Sequence, residues 1–179
     1  MSRIPAIPPE QAAEAARAQL EAVGKSLGMV PNAFRTLANS PAALGGYLAL
    51  NQATAKSTLS ARERETVALA TSEVNGCDYC LAAHSLGGRK AGLDAASLLA
   101  ARRGDLDAFA ALARRITERR GRIDDADLAA ARAAGLGDAQ IVDVIAQVAL
   151  LTFTNYLNNV AQTELDFPAV AALADAAPL

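Results

Sequence analysis

The chain's only two cysteines stand at positions 77 and 80, and its only histidine follows at position 84. On an α-helix the spacing i, i+3, i+7 sets all three along one face about two turns long. A thiol at a helix start feels unpaired amides and the positive end of the helix dipole. Both favour thiolate and lower its pKa from about 8.5. His84, four residues beyond Cys80, can take a thiol proton directly or through a water, because an imidazole titrates near pH 6.5. Such a base needs an orienting partner. Glu65 lies twelve residues before Cys77, and it reaches the site if a break at Asn75-Gly76 folds two helices side by side. Glu63 and Glu73 are rivals for that role.

Two arguments bear on which sulfur attacks. The dipole favours Cys77, the cysteine closer to the helix start, while proton transfer favours Cys80, one turn from His84. Dipole stabilisation at a partly exposed site is typically under about 1 kcal/mol. General-base catalysis is typically worth about 10²- to 10⁴-fold. The base carries more weight, and Cys80 is the expected nucleophile. A structural zinc site wants four ligands, and two cysteines with one histidine do not supply them; no metal is expected. Haem attachment wants histidine directly after the second cysteine, where Leu81 stands. No glycine-rich phosphate loop marks a nucleotide site, so no cofactor is expected. Tyr79, between the cysteines, is read as a packing residue that can also donate a hydrogen bond.

The elements that must position these residues are helical. Apolar residues make up 52% of the 179, with only 4% aromatic, a composition that favours helices packed through small side chains. Ala12, Ala16, Leu20 and Val23 repeat at helical spacing over 11–23. Asn32 is placed to cap a short helix to about Ala38, and Ser40-Pro41 to start another reaching about Lys56. Ser60 and Glu63 form a capping box opening the helix that carries Glu65 and stops near Asn75-Gly76. The cysteine helix begins at Cys77 or Asp78 and runs to about Lys90, where Gly92 can adopt the left-handed cap. Segments 94–103, 105–120 and 124–134 read as short amphipathic helices, and Asp138 opens a long one to about Thr163. The arginine clusters Arg102-Arg103, Arg114-Arg115 and Arg119-Arg120-Arg122 read as solvated faces. No period-two strand pattern survives, and the fold class is an all-α multi-helix bundle.

The expected organisation is one domain: an N-terminal arm and helix over 1–30, a core over 31–168 and a C-terminal tail over 169–179. A net charge of −2 gives no field to collect nucleic acid or an anionic membrane surface. The N-terminus does not read as a secretory signal, and Asp143, Gln147 and Asn155 interrupt the most apolar stretch, so a cytoplasmic location and no membrane span are expected. In a reducing compartment a lone Cys-x-x-Cys reads as redox or metal chemistry. The last helix is apolar around most of its circumference. It is either central to the fold or part of a homo-oligomer interface.

The stretch from Glu65 to His84, with the glutamate twelve residues before the Cys-x-x-Cys, Asn75 before Gly76 and the histidine four after Cys80, resembles the signature of the alkylhydroperoxidase D-like, or carboxymuconolactone decarboxylase, superfamily. Arg89 to Leu93, Ala134-Gly135-Leu136 with the helix that follows, and Asn155 through Asp166-Phe167-Pro168 extend the likeness to the peroxidase-related branch, over roughly 31–168. The resemblance implies an all-α fold in trimers or hexamers. It also implies a peroxidase site in which Glu65, through His84 and a water, deprotonates Cys80 while Cys77 resolves. Some members carry a second histidine between the cysteines, where this chain has Tyr79. The lactone-decarboxylating branch generally lacks the Cys-x-x-Cys, so that reaction is not implied. The expected function is thiol-dependent hydroperoxide reduction, with a lipoyl or thioredoxin-like dithiol protein as reductant. The alternatives are a redox-sensing disulfide module without turnover and a metal-binding protein.

Overall fold

A computed structural model describes residues 2–173 of the chain, and every regular element within them is helical. The all-α bundle expected from composition and periodicity is the fold observed. Residues 174–179 of the expected C-terminal tail lie outside the described residues.

A 3-10 turn at Pro9–Gln11 leads into α1 (Glu14–Leu27), which buries Ala16, Leu20 and Val23, with Ala12 buried just before it. These are the four residues whose spacing announced the helix. With α2 (Asn32–Leu37) and α3 (Pro41–Thr54), α1 closes a cluster around Leu20, Leu37 and Leu44. Ser40 caps α3 from one residue before Pro41, as its sequence indicated. Asn32 behaves differently. It is the first helical residue of α2 and not its cap, and its amide donates to the Asp166 carboxylate at 2.7 Å across 134 residues of chain. A distant side chain replaces the local cap.

α4 (Ala61–Val74) is the central post, packed against α5 (Asp78–Lys90), α6 (Ala95–Arg103), α7 (Ala108–Glu118) and α9 (Asp138–Ala161). Its seven residues from Thr66 to Ser72 are all buried, so no face of this stretch meets water. At its start the Ser60–Glu63 capping box forms as expected, with reciprocal bonds of 3.2 and 2.6 Å. Gly76 turns the chain back at φ +60°, a conformation that costs a side-chain-bearing residue far more than glycine. α4 and α5 are thereby laid side by side. Asp94 and Asp124 cap α6 and α8 (Asp125–Ala133). α7 begins later than Asp105, because Gly104 at φ +83° closes α6 and Asp107 supplies the cap.

Arg102 departs from the solvated reading. Its side chain is 4% exposed, donating to Glu73 at 2.6 Å and to the Ala171 carbonyl at 3.0 Å. Arg114 and Arg119 do lie in partly exposed ion pairs, with Glu118 and with Asp124 and Asp127.

α9 is both central and exposed. Ile141, Val144, Val148 and Leu151 enter the core, and Gln147, Asn155 and Asn158 are buried with them. At 24 residues it is long and apolar enough to cross a bilayer, but it packs here against α3, α4, α5 and α7 with three buried amides, as a core helix does. Its other face exposes Val142, Ile145, Ala149, Phe153, Tyr156 and Val160 in one stripe.

Candidate active site

The capping pattern of α4 and α5 assigns each acidic candidate a separate task. Glu63 is consumed by the capping box and Glu73 by Arg102. Glu65, two residues past Glu63 and so on another face of α4, reaches α5, where its Oε2 lies 2.8 Å from His84 Nδ1. Both side chains are about a quarter exposed. A carboxylate on Nδ1 holds the proton there and leaves Nε2 for chemistry. This contact needs a glycine: a Cβ at Gly87 would stand 2.7 Å from Glu65 Oε1 and 2.8 Å from Oε2.

The cysteines occupy different positions at the start of α5. Cys77 is the N-cap, wholly buried, with its sulfur accepting from the Cys80 amide at 3.4 Å. Cys80 lies within the first turn, 3% exposed, and lines a cavity of about 340 Å³ that His84 and Glu65 also line. Cys77 does not line it. The Asn158 side-chain amide donates to the Cys80 sulfur at 3.3 Å. Asn155, wholly buried beside it, donates to Ser72 at 3.1 Å and accepts from Asn75 at 2.9 Å.

This asymmetry sets the thiol acidities apart. The hydrogen bond from the Cys77 thiol is the largest influence on Cys80. Burial opposes it, but the His84 charge and the amides of Asn158 and Asn155 add to it, bringing Cys80 down to about 6. Cys77 moves up, held protonated first by the bond it gives Cys80, then by burial and by the Cys80 charge. Burial alone would lower His84, yet the Glu65 carboxylate, by charge and by hydrogen bond, and then Cys80 outweigh it and raise the imidazole above its ordinary value. The site therefore favours a Cys80 thiolate beside a His84 whose proton affinity is raised, with Cys77 as the thiol that steadies it.

Tyr79 does more than pack. Its hydroxyl donates to Asp166 and accepts from the Ala33 amide at 3.2 Å, while its ring meets Phe167 edge-on at 5.7 Å. Asp166 thus fastens the chain after α9 to both α2 and α5, and Phe167 closes part of the cavity wall. Asn158, Asn155 and Asp166 carry roles that spacing around the Cys-x-x-Cys did not reveal. The signal available was the presence of amides three residues apart inside an otherwise apolar helix.

The site is thus a helical bundle's Cys-x-x-Cys helix start set beside a Glu–His pair. The profile of the Carboxymuconolactone decarboxylase family matches residues 41–118, from the start of α3 to the end of α7, and so contains Glu65, Cys77, Cys80 and His84. No curated protein matches the sequence. Among solved structures, the fold is similar to that of an alkylhydroperoxidase AhpD core, peroxidase-related protein from Ralstonia eutropha, at a TM-score of 0.80 and 24% identity, covering 92% of each chain. A peroxidase-related protein from a Silicibacter species superposes at a TM-score of 0.75 and 23% identity, over 90% of this chain and 92% of the other. The debrominase Bmp8 shares the fold at a TM-score of 0.75 and 16% identity, over 92% of each chain. Residues 41–118 thus match the Carboxymuconolactone decarboxylase family model, and the fold of the chain is that of the alkylhydroperoxidase AhpD core.

Proposed function

We propose that this chain is a thiol-dependent hydroperoxide reductase with Cys80 as nucleophile, Cys77 as resolving thiol, and His84 with Glu65 handling protons. The observation that carries this reading is the division of the cysteine pair: Cys80, held as thiolate, faces the cavity beside the Glu65-paired His84, while Cys77 stays protonated behind it. The Cys80 thiolate attacks the distal oxygen of a hydroperoxide. The O–O bond breaks, sulfur becomes a sulfenic acid, and the leaving alkoxide takes a proton from His84 Nε2. Glu65 keeps the imidazolium oriented and charged until that transfer. Cys77 then attacks the sulfenic sulfur, losing its proton as hydroxide leaves, so a disulfide and water form. The two cysteines lie three residues apart at the start of α5, with the Cys80 amide 3.4 Å from the Cys77 sulfur. A dithiol protein of lipoyl or thioredoxin-like chemistry returns the pair to thiols, becoming oxidised in turn.

The fold by itself does not select peroxide, since Bmp8 is named a debrominase. The proton relay favours an oxygen leaving group, which must be protonated as it departs.

The test is turnover of cumene hydroperoxide with dithiothreitol, together with trapping of the sulfenic acid. Wild type should lose two free thiols per chain without intermolecular crosslinks. Cys77→Ser should halt with a sulfenic acid on Cys80, and Cys80→Ser should form none. His84→Gln and Glu65→Gln should slow its formation at least tenfold while remaining folded. Thiols that persist after hydroperoxide treatment would sink the proposal, and a sulfenic acid on Cys77 in Cys80→Ser at the wild-type rate would reverse the assignment.

A further inference from the structure

We infer that the cavity over Cys80 is built for an amphipathic alkyl hydroperoxide carrying a carboxylate, with Lys90 as the anchor for that carboxylate. The inference rests on the peroxidase reading for its chemistry but on separate residues for its selectivity. Along α5, Cys80, Ala83, His84, Gly87 and Lys90 line the cavity in succession. Ten residues of helix separate the sulfur from the lysine backbone, about 15 Å of rise. The reacting end of the cavity is buried, and the Lys90 end is exposed.

Between these ends the wall is mainly apolar, with Tyr47, Asn51 and Thr154 among its polar members. Phe34, Tyr47, Ala83 and Phe167 line the interior. At the rim Leu27, Met29 and Leu86 are 56%, 41% and 38% exposed, three large apolar side chains gathered on one opening. Exposed apolar groups concentrated around a concave site mark a binding surface more often than chance. A small polar peroxide has no use for such a wall, whereas an alkyl chain covers it.

The only cationic side chains on this lining are His84 and Lys90. His84 is occupied by Glu65, and among the described residues no hydrogen bond or ion pair engages Lys90. An unpaired ammonium at the mouth of an apolar groove complements an anion at the far end of a chain whose hydroperoxide reaches Cys80. Glu65, the acid on the same lining, lies at the His84 level and is already engaged by that imidazole. The carboxylate is thereby directed outward and the peroxide inward, so charge fixes the orientation of the substrate and not only its affinity.

Binding can be read without turnover, using decanoate and decanol as unreactive probes of equal chain length. Calorimetry on the wild-type protein should show decanoate bound about 1.5-fold to fivefold more tightly than decanol, the range for an exposed ion pair. Lys90→Gln should erase that preference while leaving decanol affinity in place, and decanoate should protect Cys80 from alkylation by iodoacetamide. Equal affinity for both probes, a preference that survives Lys90→Gln, failure of either probe to bind, or alkylation indifferent to decanoate would each overturn the inference. If instead decanoate binds and protects while no hydroperoxide oxidises Cys80, the peroxidase reading fails and the anionic site stands.

Discussion

Gly87 and Glu65 meet across the α4–α5 interface so closely that one hydrogen atom is all the space between them permits, with a Cβ at Gly87 falling 2.7 Å from the carboxylate. The backbone of α5 at this position is ordinary helix, so the glycine serves the neighbour and not its own conformation. Alanine is the better helix former by about 1 kcal/mol, and the atom it would strike is the far end of a flexible side chain.

Gly87→Ala should therefore leave the fold intact and displace the Glu65 carboxylate from His84. Sulfenic acid formation on Cys80 should slow by about tenfold or more, the loss expected when a proton relay is misoriented. Stopped-flow kinetics with hydroperoxide, alongside thermal melting, would check it. An unchanged rate with an unchanged melt would mean that Glu65 finds the histidine by another rotamer.

Cys80 reactivity should follow a titration near pH 6, the value to which its surroundings bring it. The lowered pKa means that thiolate is present above this pH and lost below it, so the alkylation rate should rise through about pH 6 and level off by neutrality. Replacing His84 by glutamine removes a positive charge that favours the thiolate, and Cys77→Ala removes the largest favourable hydrogen bond. Both changes must move the midpoint upward. Iodoacetamide kinetics from pH 4.5 to 9 with mass-spectrometric assignment to Cys80 would measure the shift. A midpoint that stays put in both variants would remove His84 and Cys77 from the account of thiolate stability.

The exposed stripe on α9 should be covered by further copies of the chain. Val142, Tyr156 and Val160 are 62%, 57% and 62% exposed and lie on one face with Ile145, Ala149 and Phe153, a surface that water solvates poorly. Light scattering should return a multiple of 18.4 kDa, with a trimer or hexamer expected from the family resemblance. Ile145→Asp combined with Tyr156→Asp should shift the mass toward monomer with helicity retained. A wild-type monomer at micromolar concentration would contradict this.

Much of the framework was legible because its signals are local. The Ser60 box, the Asp94 and Asp124 caps and the left-handed Gly92 act within four residues of where they are written. The Cys77, Cys80, His84 spacing is legible for the same reason, since one helix fixes all three. What escaped was set by distance along the chain. Arg102 reads as one of many arginines on short helices, and only the packing of α6 on α4 delivers it to Glu73, 29 residues away. Asn32 has the chemistry of a cap, but Asp166 takes that task from the opposite end of the chain. The choice of Glu65 over Glu63 and Glu73 stayed open in sequence, because three glutamates on one helix differ only in which neighbour each face meets.

The Asp166 fastening also dictates when the site can come into being. Its partners, Asn32 and Tyr79, precede it by 134 and 87 residues, and Asn158, which holds the Cys80 sulfur, follows that cysteine by 78. During synthesis from the N-terminus, α4 and α5 are complete long before α9 and the strap beyond it emerge. Until then Cys80 has neither its amide donor nor the Phe167 wall. Closing contacts across such spans is slow compared with forming the helices themselves. The polypeptide thus completes the cavity wall and the amide contact around Cys80 only after the helix that carries the two cysteines and His84 has been made.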